Sequence, residues 1–284
     1  MTYGRLWKEG VEMLVSAEVA EPEENAWILF EFVFGIDRAH YFLRREEEAP
    51  EEKRLLYREL LARRGAHVPV QYLTGFAWFM GLKFFVDGSV LIPRQDTETL
   101  AEEVLKEVSA GKESSLKVLD LCAGSGCIGI GVANCLAKRG VSAALTEADI
   151  SEAALATARK NGDYHGIACE YVRSDLFSEL NGRRYDYILS NPPYIETSAV
   201  ETLMEEVKNH EPRLALDGGG DGLFFYRRIA KESRAYLEEK GRLFLEIGYD
   251  QGEAVKELLT AEGFCDVRVV KDLAGKPRVV KAHI

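Results

Sequence analysis

Val118-Leu119-Asp120-Leu121-Cys122-Ala123-Gly124-Ser125-Gly126-Cys127-Ile128-Gly129 reads as an apolar strand that runs into a glycine-rich turn and out into a helix. Glycines suit that turn because the backbone bends sharply and lies against a ligand with no side chain between. The next strand closes on Asp149 in Ala148-Asp149-Ile150-Ser151, where a carboxylate can accept the protons of both ribose hydroxyls. Together they predict a nucleoside site. Gly124-x-Gly126-x-x-Gly129 also satisfies the dinucleotide fingerprint, with Asp149 at about the right distance beyond it, so a nicotinamide-dependent oxidoreductase stays open at this point.

Working outward, residues 117–121, 143–148, 169–172, 185–190 and 242–246 are strand candidates with helical segments such as 151–161 between them, which predicts an α/β, largely parallel sheet. Residues 265–270 and 278–282 also read as strands. Too few residues join them for a parallel crossover, which needs a dozen or more, so they are expected to pair antiparallel. A mostly parallel seven-stranded sheet ending in such a hairpin looks like the class I methyltransferase fold. With Asp120 at the end of the first strand, as in loops that bind S-adenosyl-L-methionine (AdoMet), this favours AdoMet over NAD.

Toward the N-terminus the pattern is helical. Leu6, Val11 and Leu14 recur at helical spacing, Glu21-Pro22-Glu23-Glu24 starts a second helix that Gly35 ends, and Ala49-Pro50-Glu51-Glu52 leads into Leu55, Leu56, Leu60 and Leu61 as one apolar face closed by Gly65. Residues 1–75 are therefore read as a small helical bundle, with Glu46 to Glu48 on its solvated side. The runs Tyr72–Phe76 and Leu82–Val86, parted by Gly81, suggest strands of a β-hairpin connector, placed at 76–92. The catalytic domain is expected over 93–284.

The 284 residues carry a net charge of −11, and the first 75 contribute −4 of it (10 Lys and Arg against 14 Asp and Glu), without the basic excess of a general nucleic-acid binder. Five cysteines form no C-x-x-C pair, and five histidines are scattered without metal-ligand spacing, so buried thiols and no metal are expected. No long uncharged apolar run or signal-peptide layout is present, which predicts a cytoplasmic protein that does not enter a membrane. Asp217-Gly218-Gly219-Gly220-Asp221-Gly222 lacks calcium-loop spacing and is read as a surface turn.

Asn191-Pro192-Pro193-Tyr194 follows the strand at 185–190 directly. Two prolines at a strand end fix the backbone, so Asn191 Oδ1 and the Pro192 carbonyl can both face a substrate NH2 group while Tyr194 stacks on a planar group. A glutamine or adenine nitrogen is a poor nucleophile because its lone pair is delocalised. Two acceptors can hold its hydrogens so that the lone pair points at a sulfonium methyl, without a strong base. By itself the motif is also a rigid proline turn, and it names the reaction rather than the substrate.

The chain resembles the HemK/PrmC family across nearly its whole length. The matching stretches include Pro69-Val70-Gln71-Tyr72-Leu73-Thr74-Gly75, Leu91-Ile92-Pro93-Arg94-Gln95-Asp96-Thr97-Glu98, Ser174-Asp175-Leu176-Phe177, Ser190-Asn191-Pro192-Pro193-Tyr194-Ile195 and Glu211-Pro212-Arg213-Leu214-Ala215-Leu216. The resemblance implies methylation of the glutamine in the Gly-Gly-Gln loop of class-one peptide-chain release factors, with the helical N-terminal domain helping to grip that partner. It further implies Cys122, Ala123, Gly124, Ser125 and Gly126 at the methionine part of AdoMet, Asp149 at the ribose and Asp175 and Leu176 near the adenine. Asn191, Pro192, Pro193 and Tyr194 would meet the glutamine. Leu176 stands where some relatives carry tryptophan, which turns adenine stacking into apolar contact. Gln95 and Ala123 also depart from the family pattern. Arg94, Thr97 and Glu98 are open to a structural or a chemical role, the structural one favoured. An adenine or guanine nucleic-acid methyltransferase remains the nearest alternative, and charge argues against it.

Overall fold

A computed structural model describes residues 1–108 and 114–284. In it the apolar runs and glycine punctuation resolve into two units: Met1–Phe76 with Met204–His210, and Ala77–Leu203 with Glu211–Ile284.

The first unit is built from α1 (Tyr3–Ser16), α2 (Pro22–Phe34), α3 (Arg38–Arg44), α4 (Glu51–Gly65) and the short α5 (Val70–Thr74). Local chemistry fixes their ends. Thr2 and Asp37 cap α1 and α3 with their side chains, Pro22 begins α2, and Gly35 ends it at φ 66°. Inside, Phe30 meets Tyr3, Tyr41 and Tyr57 edge-on and stacks on Trp27 at 5.4 Å. Such ring pairs add about 0.5–1.5 kcal/mol each beyond the area they bury. The buried Arg64 donates to Asn25 Oδ1 at 2.8 Å and to Glu206 Oε2 at 2.6 Å, which ties a helix from far along the chain into this unit.

In the second unit β1 (Phe76–Phe79, its first residue still in the first unit) and β2 (Leu82–Phe85) form a two-stranded sheet. Met80 and Gly81 turn between them, both at positive φ, as a type I′ hairpin turn requires. There follow α6 (Glu98–Glu107), β3 (Ser115–Leu121), α7 (Cys127–Lys138), β4 (Ser142–Asp149), α8 (Glu152–His165), β5 (Cys169–Arg173), β6 (Tyr185–Ser190) and α9 (Thr197–Val200). The remainder is α10 (Glu205–His210, in the first unit), α11 (Phe224–Ser233), β7 (Leu237–Glu246), α12 (Gly252–Ala261), β8 (Cys265–Lys271) and β9 (Pro277–His283).

The large sheet has the order β5-β4-β3-β6-β7-β9-β8. Its pairings are parallel except that β9 runs antiparallel to both β7 and β8, so the hairpin expected at the chain end is present. Apolar clusters cover both faces, Leu100, Val104, Val118, Ile130 and Phe244 on one side and Leu119, Ile188, Tyr226, Leu243 and Leu245 on the other. That is why the inner strands read as near-continuous apolar runs. Among the described residues no helix is long and apolar enough to cross a membrane.

Two local expectations are corrected. Tyr72 to Thr74 belong to α5 and not to a strand, because Pro69 starts a helical turn that Gly75 ends at φ 79°; the hairpin's first strand is Phe76–Phe79. Leu55 and Leu56 are exposed, and the buried face of α4 is Tyr57, Leu60, Leu61 and Arg64.

Gly10 sets how closely α1 meets α4. A Cβ there would lie 2.4 Å from the Tyr57 hydroxyl, which donates to the Ala26 carbonyl. Gly10→Ala is therefore expected to lose about 1–3 kcal/mol through overpacking, more than its gain in helix propensity returns. Urea unfolding checks this, and a midpoint at or above that of the unmodified protein would show that the two helices separate without cost.

Candidate active site

The strand order reverses between β3 and β6, and in open α/β sheets ligands bind in the crevice beyond such a reversal. Leu121 and Ser190, the last residues of the two strands, are register partners, and the Ser190 hydroxyl donates to the Leu121 carbonyl at 2.6 Å. The two motifs that follow therefore emerge side by side. A cleft with about 1040 Å³ of empty space, counted to its open mouth, lies there. Cys122, Ala123, Gly124 and Ser125 form part of its wall, together with Asp149, Asp175, Leu176, Asn191 and Pro193.

Local backbone shape explains the glycine loop. Gly124 and Gly126 sit at φ 55° and 74°, and Cys122 takes the same left-handed conformation at φ 61° despite its side chain, as does Leu176 at φ 51°. Strain of this kind, of order 1–3 kcal/mol per residue, concentrates at ligand sites. Burial pushes the Cys122 thiol well above its ordinary pKa, so it stays protonated and is no nucleophile. Gly129 answers a packing need: a Cβ there would lie 2.5 Å from Glu147 Oε1 and 2.9 Å from Leu145 Cδ1, so α7 could not lie so close to β3 and β4.

Asp149 is held by the loop it serves. Its Oδ2 accepts from the Gly124 N–H at 2.9 Å and its Oδ1 from the Ser151 N–H at 2.8 Å. Burial raises its pKa, and these backbone donors work against that rise. Each oxygen keeps a lone pair for a diol. Beside it Ile150, Ala154 and Leu176 offer an apolar wall to a flat base. Asp175 stands at the rim with its carboxylate on Arg228 at 2.7 Å.

Asn191 lines the cleft and donates through Nδ2 to Thr97 Oγ1 at 3.5 Å, which leaves Oδ1 as its acceptor. Pro192, Tyr194 and Gly126 do not line the cleft. The Tyr194 ring packs against the core under the sheet and its hydroxyl donates to Glu246 Oε1 at 3.4 Å, so the stacking surface expected of it faces inward. Sequence reasoning assigned no contact to Leu91, Pro93, Pro212, Leu214 and Phe225, which complete the wall. The two segments carrying the first four match the family pattern, and no periodicity marks them.

The turn at 217–222 is exposed at Gly220 and Asp221 but not along its whole length. Gly218 and Gly222 are buried against the backbone of the proline motif: a Cβ on Gly218 would lie 2.6 Å from Tyr194 Cα and one on Gly222 2.4 Å from the Tyr194 carbonyl oxygen. The Gly218 N–H donates to the Ile195 carbonyl at 2.7 Å, and Gln251 donates to the Tyr194 carbonyl at 2.9 Å. No group of metal-ligand side chains exists among the described residues.

Residues 5–75 match the PrmC N-terminal domain family and residues 95–224 the methyltransferase small domain family. Over 283 residues the chain is 39% identical to the release factor glutamine methyltransferase of Geobacter sulfurreducens, covering 100% of this chain and 94% of the relative. That of Clostridium botulinum is also 39% identical, over 97% of this chain and 96% of its own. The chain belongs to the release factor glutamine methyltransferases. A methyltransferase structure from Pyrococcus furiosus superposes with a TM-score of 0.52 at 14% identity, over 78% of this chain and 98% of that one, which shows the shared fold.

Beneath the glycine loop of this methyltransferase lies a buried acid pair. Asp120, the acidic residue that marks the first strand's end, is turned into the core: Oδ2 accepts from the Gly129 N–H at 2.8 Å, and its register partner on β4 is Glu147. Both are fully buried, and Asp120 Oδ1 and both Glu147 oxygens have no donor among the described residues. Burial pushes both pKa values upward; the charge of Asp120 adds to the rise at Glu147, while the Gly129 N–H and the contact with Glu147 work against the rise at Asp120. One proton held between the two carboxyls satisfies the arrangement.

The pH dependence follows. Unfolded, these groups lose their protons above their ordinary values of 3.8 and 4.5, whereas the folded pair retains protons to higher pH. Stability from the pair is thus complete below about pH 4 and declines as pH rises toward the folded values, by at most about 1.4 kcal/mol per pH unit for each retained proton. Glu147→Gln supplies a permanent N–H for Asp120 and is expected to flatten that decline. Urea unfolding across a pH series checks it; an unchanged slope would mean that the pair holds no shared proton.

Proposed function

We propose that this chain transfers the methyl group of AdoMet to the side-chain amide nitrogen of the glutamine in the Gly-Gly-Gln motif of class-one release factors. The observation that carries the reading is the placement of Asn191, its Nδ2 engaged by Thr97 and its Oδ1 left as an acceptor, on the wall shared with the glycine loop and Asp149. Its relatives' names and the family domains support the same reaction.

The cleft fits the cofactor in three respects. Asp149 has lone pairs for two ribose hydroxyls, the apolar wall of Ile150, Ala154 and Leu176 suits the adenine, and the Cys122 to Ser125 backbone leaves room for the methionine part. When bound, AdoMet supplies an electrophilic methyl group on a sulfonium. Asn191 Oδ1 accepts a hydrogen of the substrate amide, which turns the nitrogen lone pair toward the methyl; Pro192, outside the cleft wall, is given no contact with it. The work is orientation, worth several kcal/mol when reacting groups are held in line. A proton leaves the methylated nitrogen as its lone pair is restored, which needs no strong base. The first unit is assigned to gripping the release factor.

Incubating the protein with labelled AdoMet and a purified release factor, then locating the label by mass spectrometry, tests the reading. Label on the Gly-Gly-Gln glutamine is expected; label on DNA or RNA alone would move the substrate to nucleic acid. Asn191→Ala is expected to lower turnover by roughly 10²–10³-fold with AdoMet still bound. Near-normal single-turnover transfer in that variant would remove the amide from the mechanism.

Asp149→Ala is expected to weaken AdoMet binding by about 1.5–3 kcal/mol, on the order of tenfold to a hundredfold in Kd, because it removes charge-assisted acceptors. Calorimetry reads this directly. Unchanged affinity in a folded variant would take Asp149 out of the site.

A further inference from the structure

Thr157, Asn161 and His165 recur every fourth residue along α8 and so share one face of it. Each meets β2 or the chain just beyond it. Thr157 Oγ1 lies 3.2 Å from Ser89 Oγ, and a ring nitrogen of His165 lies 2.8 Å from the Lys83 carbonyl oxygen. Between them stands Asn161, fully buried. Its Oδ1 accepts from the Phe85 N–H at 2.7 Å and its Nδ2 donates to the Phe85 carbonyl at 3.0 Å, the two bonds that a neighbouring strand would make. Nδ2 has a second hydrogen, and it donates at 2.9 Å to the Ser125 carbonyl in the glycine loop.

We propose, resting on the assignment of the glycine loop to AdoMet, that Asn161 is a positioning residue which holds that loop in the form that accepts the cofactor. Ser125 lines the cleft and Asn161 does not, so their bond draws the Ser125 carbonyl toward the buried side of the wall. The same helix presses on the loop one turn earlier: a Cβ on Gly126 would lie 3.2 Å from Ala158 Cβ. The peptide that joins Ser125 to Gly126 has two anchors, its carbonyl on Asn161 and its N–H on the Ala123 carbonyl at 2.8 Å. Without the first, one bond alone sets the plane of a peptide next to a glycine at φ 74°, where the missing Cβ leaves several orientations open. A buried carbonyl without a donor is costly, so the freed peptide turns toward water in the cleft. AdoMet then binds only the fraction of molecules whose loop keeps the anchored form, and its apparent affinity falls by that fraction. Once bound, the cofactor itself restores the loop, and the transfer step is little changed.

The amide also joins the loop to β2. Its orientation is fixed by the Phe85 N–H, which only an oxygen can face. What orders the Ser125 carbonyl therefore orders the Phe85 pairing, and by linkage the reverse holds. Ser89 and Leu91, a few residues beyond Phe85, line the cleft as well, so one side chain behind the wall ties two parts of it together.

Calorimetric titration with AdoMet compares wild type, Asn161→Asp, Asn161→Ala and His165→Ala, with urea unfolding and release-factor methylation measured on each. Asn161→Asp keeps the acceptor for Phe85 and loses both donated bonds, and Asn161→Ala loses all three. His165→Ala frees the Lys83 carbonyl and leaves the loop's bonds in place. Both Asn161 variants are expected to raise the AdoMet Kd roughly 5- to 30-fold, with kcat at saturating AdoMet and the KM for release factor within about twofold. His165→Ala is expected to lose stability with its Kd unchanged. In wild type, AdoMet is expected to slow amide exchange at Phe85 several-fold beyond the slowing it brings to the amides of β9, a readout that needs no variant to fold. An unchanged Kd in folded Asn161 variants while Asp149→Ala weakens binding, an equal rise in Kd for His165→Ala, or no added protection at Phe85 would each overturn the inference. Unchanged AdoMet affinity in both Asp149→Ala and the Asn161 variants, or no AdoMet binding by wild type, would overturn the site assignment itself, and this inference with it.

Discussion

Where the sheet changes its winding direction, β3 and β6 lie side by side, and the Ser190 hydroxyl on the Leu121 carbonyl closes their last register pair. Everything at the cleft is measured from that junction. One step beyond it on β3 the chain turns left-handed at Cys122; one step beyond it on β6 it becomes Asn191 and two prolines. A slip of one residue in this pairing would turn each side chain to the opposite face, and the glycine loop and the amide would no longer share a wall. Burial of both sheet faces makes such a slip expensive, so the core fixes the relative position of two loops that barely contribute to it.

The same edge of the sheet carries four carboxyls with different treatment. Asp149 is surrounded by backbone N–H donors and keeps lone pairs for a ligand, whereas Asp120 and Glu147 face each other in the core with one backbone donor between them. Glu246 accepts from the Tyr194 hydroxyl and has Arg278 within electrostatic reach. Burying acids in this way weakens a fold by kcal/mol amounts unless protons or donors compensate them. Their retention under the loops is understandable if rigidity there matters more than stability, since a satisfied polar network specifies one arrangement where apolar packing permits several.

Much of this was legible in the sequence. Strands buried on both faces announce themselves as apolar runs, and the hairpin at 265–283 follows from connection length alone. The nucleoside loop and Asn191 are legible because glycine and proline constrain the backbone locally. What was not legible depends on contacts distant in sequence. Leu55 and Leu56 carry the right chemistry for a core but lie on the wrong side of α4, which only the position of Tyr57 decides. Tyr194 reads as a free stacking surface until Glu246 is known to stand behind it. Gly218 and Gly222 read as turn residues because nothing local says that the proline motif presses on them. The burial of Asp120 against Glu147 was hidden for the same reason, its partner being on another strand.

The return of α10 to the first unit bears on how the protein is made. Its Glu206 meets the buried Arg64, yet α10 is synthesised roughly 130 residues after α5 has ended. At about 5–20 residues per second a ribosome needs on the order of ten seconds to supply it. Until then Arg64 lacks the carboxylate that it meets in the finished fold. The bundle is thus translated ahead of α10 but completed only once α10 has been made.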